Sequence, residues 1–218
     1  MSVDERAIHR FRRVALRSAR VHGRDFPWRQ SRDPYKVLIG EVLLQRTRGE
    51  HVAPVFDVFV RRWPGPNELA KARQRSIGAV VRPLGLAKRA PTLKQLGIAL
   101  VEAGFVPTEP AALRRLPGVG PYAANAVPIF ALGQDLPLVD WVIARVLRRF
   151  FGLPEGNRPN ADPALWRVAE SLVRVGRARD LWLGTLDFAA RVCKPRPACP
   201  ECPLREACSF HTEARRGT

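Results

Sequence analysis

An all-α fold is predicted for this 218-residue chain by three features of its sequence. Apolar residues recur three and four positions apart along most of its length. Pro and Gly punctuate those periodic stretches, and the alternating apolar and polar runs that mark strands are nearly absent. The spacing predicts helices over Asp4–Val21, Pro34–Thr47, His51–Arg62, Asn67–Ala72, Gln74–Val81, Lys88–Ala103, Pro110–Arg115, Pro121–Ala131, Trp141–Phe151, Pro163–Val175 and Arg179–Val192. Those opening at Pro34, Pro110, Pro121 and Pro163 begin on a residue whose fixed φ suits a first helical turn. The connections are short, so the helices should pack closely, and no repeat or low-complexity stretch interrupts them.

Hydrophobic residues make up 46% of the chain, enough to bury a core. Lys and Arg number 37 against 20 Asp and Glu, a formal charge of +17, with a pI near 11.3. An acidic polymer is the natural partner of such a surface. A GC-rich genome would explain Arg in preference to Lys, but not the shortage of acids. The cations form clusters at Arg10 to Arg20, Arg61/Arg62, Lys88/Arg89, Arg114/Arg115 and Arg145/Arg148/Arg149, a distribution suited to meeting phosphates at several points. No apolar run is long enough to span a bilayer, and Arg residues interrupt the first twenty-one positions where a signal peptide needs an apolar stretch. The expectation is a soluble, cytoplasmic protein with no membrane partner.

The most specific local motif is Leu116-Pro117-Gly118-Val119-Gly120-Pro121-Tyr122, between two short predicted helices. Gly118 and Gly120 can adopt positive φ and leave backbone N–H groups uncovered, while Pro121 opens the next helix. Donors at a helix N-terminus form a phosphate-binding device; a plain Gly/Pro turn is the simpler alternative. Glu41 lies in Val37-Leu38-Ile39-Gly40-Glu41-Val42-Leu43-Leu44-Gln45-Arg46-Thr47, which is apolar in nearly every direction. It should be buried, and a desolvated carboxyl is suited to act as a general acid. A structural ion pair with Arg would account for it equally simply. Asp140 precedes the helix beginning at Trp141 and reads as its N-cap.

Taken together, these stretches resemble the endonuclease III and MutY superfamily of helix-hairpin-helix glycosylases, over a region from about Phe26 through Cys208. The resemblance implies a DNA-binding hairpin at Leu116, Gly118, Val119 and Gly120, with Asp140 as the catalytic carboxylate that follows it. Capping and catalysis are compatible: a carboxylate at a helix N-terminus should stay ionised and face outward, to stabilise positive charge at C1′. The family commonly has Asn or His two residues beyond this Asp. Here that residue is Val142, so no polar role is carried over to it. The matching stretch in the MutY branch carries its catalytic Glu where Glu41 stands. Bifunctional members have Lys two residues past the second hairpin Gly, whereas this chain has Tyr122, and no Lys lies between Lys94 and Lys194. Tyr122, together with Glu-x-Leu-Leu-x-Arg-Thr and Arg82-Pro83-Leu84-Gly85-Leu86, looks like the Mig-type thymine-DNA glycosylases. A packed aromatic would be the structural alternative for Tyr122.

The four cysteines are spaced Cys193-x5-Cys199-x2-Cys202-x5-Cys208. Disulfides do not suit a chain without a secretion signal, and zinc sites more often pair two C-x2-C knuckles. The spacing resembles the family's [4Fe–4S] loop, with one residue fewer between the first two cysteines. Lys194, Arg196 and Arg205 in that loop could contact phosphate or simply face solvent. Excision inside a duplex also requires something to fill the vacated stack. By resemblance the fillers are Leu86 and Gln45 or Arg46, each with an ordinary structural role as its alternative.

The implied architecture is two helical lobes: a six-helix barrel with the hairpin over residues 26–134, and a cluster-bearing lobe from 1–25 with 135–218. A DNA cleft between them would let Glu41 and Asp140 meet. The expected activity is monofunctional hydrolysis of T or U opposite G in double-stranded DNA, by a monomer. MutY-like excision of A is the principal alternative. That branch carries a further C-terminal domain, which is not expected here because ten residues follow Cys208. A non-catalytic DNA-binding iron–sulfur protein of the same fold is the other alternative, disfavoured by the presence of both carboxylates.

Overall fold

The computed structural model describes residues 4–45, 47–156, 158–174 and 176–216, with the backbone alone at 213–216. Its α-helices run over Glu5–His22 (α1), Pro27–Gln30 (α2), Pro34–Leu43 (α3), Gly49–Arg62 (α4), Pro66–Lys71 (α5), Gln74–Val81 (α6), Ala90–Ala103 (α7), Pro110–Leu113 (α8), Pro121–Leu132 (α9), Trp141–Phe151 (α10), Pro163–Leu172 (α11), Ala178–Arg191 (α12) and Ser209–Arg216 (α13). Short 3-10 turns occupy Arg82–Leu84, Ala87–Arg89, Pro159–Ala161, Cys199–Glu201 and Arg205–Ala207. The fold is all-α, with no strand among the described residues. No helix there is long and apolar enough to cross a membrane.

Helices α6 and α10 have the bounds their periodicity predicts. The predicted Pro34–Thr47 helix instead stops at Leu43: the next bonds, Gln45 N–H to Val42 O and Thr47 N–H to Leu44 O, are tight i to i−3 turns. Two helices were not predicted. A single turn such as α2 has no periodicity to detect, and α13 is too polar to show an apolar stripe.

The chain divides into two compact units, Met1–Arg24 with Gly133–Thr218, and Asp25–Leu132. In the first, α1 is capped by Asp4, whose carboxylate accepts from Arg6 N–H at 3.0 Å. It buries Ile8, Phe11, Ala15 and Ser18 along one face. Phe11 meets Phe150 and Phe151 of α10 at ring distances of 5.5 and 5.7 Å. Helix α1 also packs along α12 at very close range: a Cβ on Gly184 would stand 1.9 Å from the carbonyl oxygen of Ala15. Gly184→Ala should therefore force the helices apart and cost at least about 1–3 kcal/mol. Thermal unfolding would read this as a fall of about 2–4 °C per kcal/mol; an unchanged Tm would contradict the close packing.

The second unit is built around α3, where Tyr35 and every residue from Val37 to Leu43 are buried. Asp33 caps this helix at Tyr35 N–H, and the Tyr35 hydroxyl donates to the Trp63 carbonyl at 3.0 Å. Gly40 admits the Trp28 ring, whose Cβ would lie 2.7 Å from a Cβ at position 40. That ring stacks on Phe26 at 4.9 Å and meets Phe56 edge-on, which fixes α2 against α3 and α4. Helix α3 also packs on α9.

Candidate active site and DNA-contacting hairpin

Within the Asp25–Leu132 unit, the structure draws several of the predicted site residues into one neighbourhood. Glu41 sits in mid-α3 and is only 4% exposed. Tyr122 stands on the first turn of α9, the helix against which α3 packs, and is half-buried. Past the end of α3, the Gln45 carboxamide donates from Nε2 to the Gly118 carbonyl at 2.9 Å. Its oxygen accepts from Arg89 Nη1 at 2.6 Å, and Arg89 N–H in turn bonds Leu86 O at 2.8 Å. One carboxamide thus ties together the end of the Glu41 helix, the hairpin and the turn that carries Leu86.

The hairpin links α8 to α9. Gly118 has φ +77°, and a Cβ there would also meet Thr92 Cγ2 at 2.9 Å. Gly120 differs from the expectation of positive φ for both glycines: its φ is not in that region, and nothing lies within 4 Å of where its Cβ would be. The protein itself makes no demand for glycine at 120; a Cβ would obstruct only something approaching from outside. Among the described residues the N–H groups of Gly118 and Gly120 make no bond to the protein. The Val119 N–H is already taken by Leu116 O at 3.2 Å, and the Leu116 and Val119 side chains are buried. Leu86, expected to enter DNA, is likewise buried, at 8% exposure. Arg46 lies outside the described residues.

The other unit holds Asp140 and the cysteines. Asp140 caps α10, its Oδ1 accepting from Ile143 N–H at 2.7 Å. Burial raises its pKa above the usual carboxylate range, while the N–H groups of Ile143 and Val142 and the charge of Arg145 pull the other way. This qualifies the expectation of an outward carboxylate that simply stays ionised: the carboxyl is set deep enough for desolvation to outweigh the helix terminus.

Helix α10 also braces the cysteine loop. Arg145 Nε donates to Cys193 O at 3.0 Å, and Arg149 donates to Lys194 O at 2.6 Å and Pro195 O at 2.9 Å. The Cys208 thiol in turn donates to Arg149 O at 3.3 Å. All four cysteines are free and half-buried. Cys202 senses the charge of each of the other three, so the set is grouped. Even so, among the described residues no three His, Cys, Asp or Glu side chains converge as a single metal ion requires. Tetrahedral zinc brings its sulfurs close around one point, whereas a cluster with one thiolate per iron holds them farther apart. Four free thiols within one loop are the donor set that such a cluster takes.

These bonds correct one reading of the charge pattern. Arg145, Arg148 and Arg149 do not form a free cationic patch, because Arg148 is buried against Gly156 O and the Asp162 carboxylate and the other two hold the loop. Arg89 and the bracing pair were not foreseen as site residues. The pair had a detectable signal in its i, i+4 spacing after the Asp140 cap, whereas Arg89 had none. Lys194, Arg196 and Arg205 are exposed, with Arg205 donating to Pro200 O.

The chain belongs to the HhH-GPD superfamily of base excision DNA repair proteins, whose model matches residues 39–170. It is 39% identical over 192 residues to a thymine/uracil-DNA glycosylase of Methanothermobacter thermautotrophicus, covering 86% of this chain and 87% of that one. A thymine-DNA glycosylase of Aeropyrum pernix is 36% identical over 217 residues, covering 96% and 97%. The solved structure of a thermostable thymine-DNA glycosylase superposes with a TM-score of 0.90 at 36% identity, covering 96% of this chain and 98% of that one.

Proposed function

We propose that this protein is a monofunctional DNA glycosylase acting as a monomer on double-stranded DNA, hydrolysing the glycosidic bond of thymine or uracil mispaired with guanine. The names of its similar relatives support the substrate. The observation that carries the monofunctional reading is Tyr122 on the first turn of α9, where bifunctional relatives carry the amine that attacks C1′.

In this reading the open N–H groups of Gly118 and Gly120 hold a backbone phosphate. The flipped nucleotide loses its base through an oxocarbenium-like state: the C1′–N bond breaks, water adds hydroxide to C1′, and the base departs with a proton. Asp140 stabilises the cation. Glu41 protonates the departing base or activates the water, and Tyr122 bounds the pocket and donates a hydrogen bond. Gln45, fixed by Arg89 and Gly118, fills the vacated stack with Arg46. Leu86 contributes only if its turn moves outward on binding DNA.

Cys193, Cys199, Cys202 and Cys208 would hold a [4Fe–4S] cluster. When bound it supplies a cross-link that orders the loop and positions it for DNA, since base hydrolysis transfers no electron. Purified protein should then contain about four iron and four sulfide per chain and be yellow-brown. One zinc and no iron would overturn the assignment.

Excision assays on duplexes holding T:G, U:G, A:G and A:8-oxoG pairs test the substrate. Release of T and U opposite G, with A retained, is the expected outcome; preferential release of A would establish the MutY-like alternative. Absence of release from every duplex by iron-loaded protein would leave the non-catalytic DNA-binding reading.

A further inference from the structure

We propose that the outward face of α1, with Arg174 and Arg177 from between α11 and α12, is a second phosphate-binding surface that holds a tract of duplex DNA backbone without reading its bases. A cavity of about 750 Å³ lies there, lined by His9, Arg13, Arg17 and Arg20 of α1 and by Arg174 and Arg177. On α1 the four side chains follow one another at intervals of four, four and three residues. They form an exposed stripe distinct from the buried face of Ile8, Phe11, Ala15 and Ser18.

The guanidinium groups of Arg13, Arg17, Arg20 and Arg174 make no hydrogen bond or ion pair among the described residues. Arg177 meets Asp180, the one carboxylate on the cavity wall, at 3.7 Å, and both are half exposed. The chain is tied on either side of Arg174. The Arg12 guanidinium holds the carbonyls of Ser171, Leu172 and Val173 at 2.6, 2.9 and 3.1 Å. The Asp135 carboxylate accepts from Gly176 N–H at 2.6 Å and Ala178 N–H at 3.2 Å. Burial, and then the charge of Arg174, hold the Arg12 pKa below its ordinary value, in keeping with the concentration of positive charge. Five guanidiniums around one cavity repel one another until an anion enters.

The dimensions favour a duplex. His9 to Arg20 span about 16 Å of helix at 1.5 Å per residue, and B-DNA presents a charge about every 1.7 Å of its axis. The stripe is thus long enough for several phosphates and too long for one nucleotide. No Phe, Tyr or Trp lines the cavity, so it lacks the row of large aromatic platforms that single-strand binders use to stack successive bases. This surface does not depend on which base the enzyme removes.

The test measures binding to an undamaged duplex as a function of salt. Each phosphate contact contributes about −0.9 to the slope of log K against log salt, so Arg13→Gln/Arg17→Gln/Arg174→Gln should flatten the slope by about 3. A charge-matched control, Arg75→Gln/Arg158→Gln/Arg167→Gln, removes exposed arginines outside α1 and its cavity and should change it by less than about 1. Equal slopes in wild type and the first variant, or equal losses in both variants, overturn the proposal. Should the triple variant fail to fold by circular dichroism, Arg17→Gln alone should flatten the slope by about 1. Tripolyphosphate is the second probe. If the triple substitution abolishes its binding while the duplex slope is unchanged, the cavity is a small-polyanion site and the duplex assignment is overturned.

Discussion

Asp140→Asn is expected to slow single-turnover base release by about 10²–10³-fold or more, while leaving duplex affinity close to that of the wild type. The substitution is informative because Asn is also a good N-cap. Its side-chain oxygen can still accept from Ile143 N–H, so α10 keeps its start and the arginines it carries keep their hold on the cysteine loop. What disappears is the negative charge. The wild-type rate should also show an acid limb. The carboxylate form is the active one, and burial raises the pKa, so activity should fall as pH drops through a value above the ordinary aspartate range near 3.9. A wild-type rate in the variant, or a wild-type profile with no such limb, would place the chemistry on another residue.

Tyr122→Lys is expected to convert the enzyme from one that leaves an intact abasic strand to one that cuts it. A phenol with a pKa of about 10 forms no Schiff base, so wild-type product should need alkali or heat before the strand breaks. Lysine at the first turn of α9 places an amine next to the hairpin glycines. Borohydride should then trap a protein–DNA adduct that is undetectable with the wild type, a gain of function rather than a loss. Base selectivity should decline with it, because Tyr122 also bounds the pocket. Efficient trapping by the unmodified protein would sink the monofunctional reading.

The all-α class was legible because helical periodicity is a local property: α6 and α10 end where their apolar spacing ends. The cap at Asp140 was legible for the same reason, since its bond closes within three residues. The hairpin was visible as a string of Gly and Pro, and the cysteines as a spacing. The different reasons for glycine at 118 and 120 were not visible. One rests on a positive φ and contact with Thr92, the other on empty space outside the chain.

What the sequence by itself determined is therefore everything set within about a turn of helix: class, most helices, the cap, the charge and the order of motifs. Only the tertiary structure decided which distant residues share a bond. Gln45 meets Arg89 and Gly118, which stand 44 and 73 positions along the chain, and Arg145 reaches Cys193 across 48. The same folding closed α1 onto Gly184, took Arg145, Arg148 and Arg149 out of the cationic surface, and left Arg13, Arg17 and Arg174 beside one cavity. The reason is physical: helical periodicity says which face of a helix is buried, but the partner of that face is chosen by packing the whole unit.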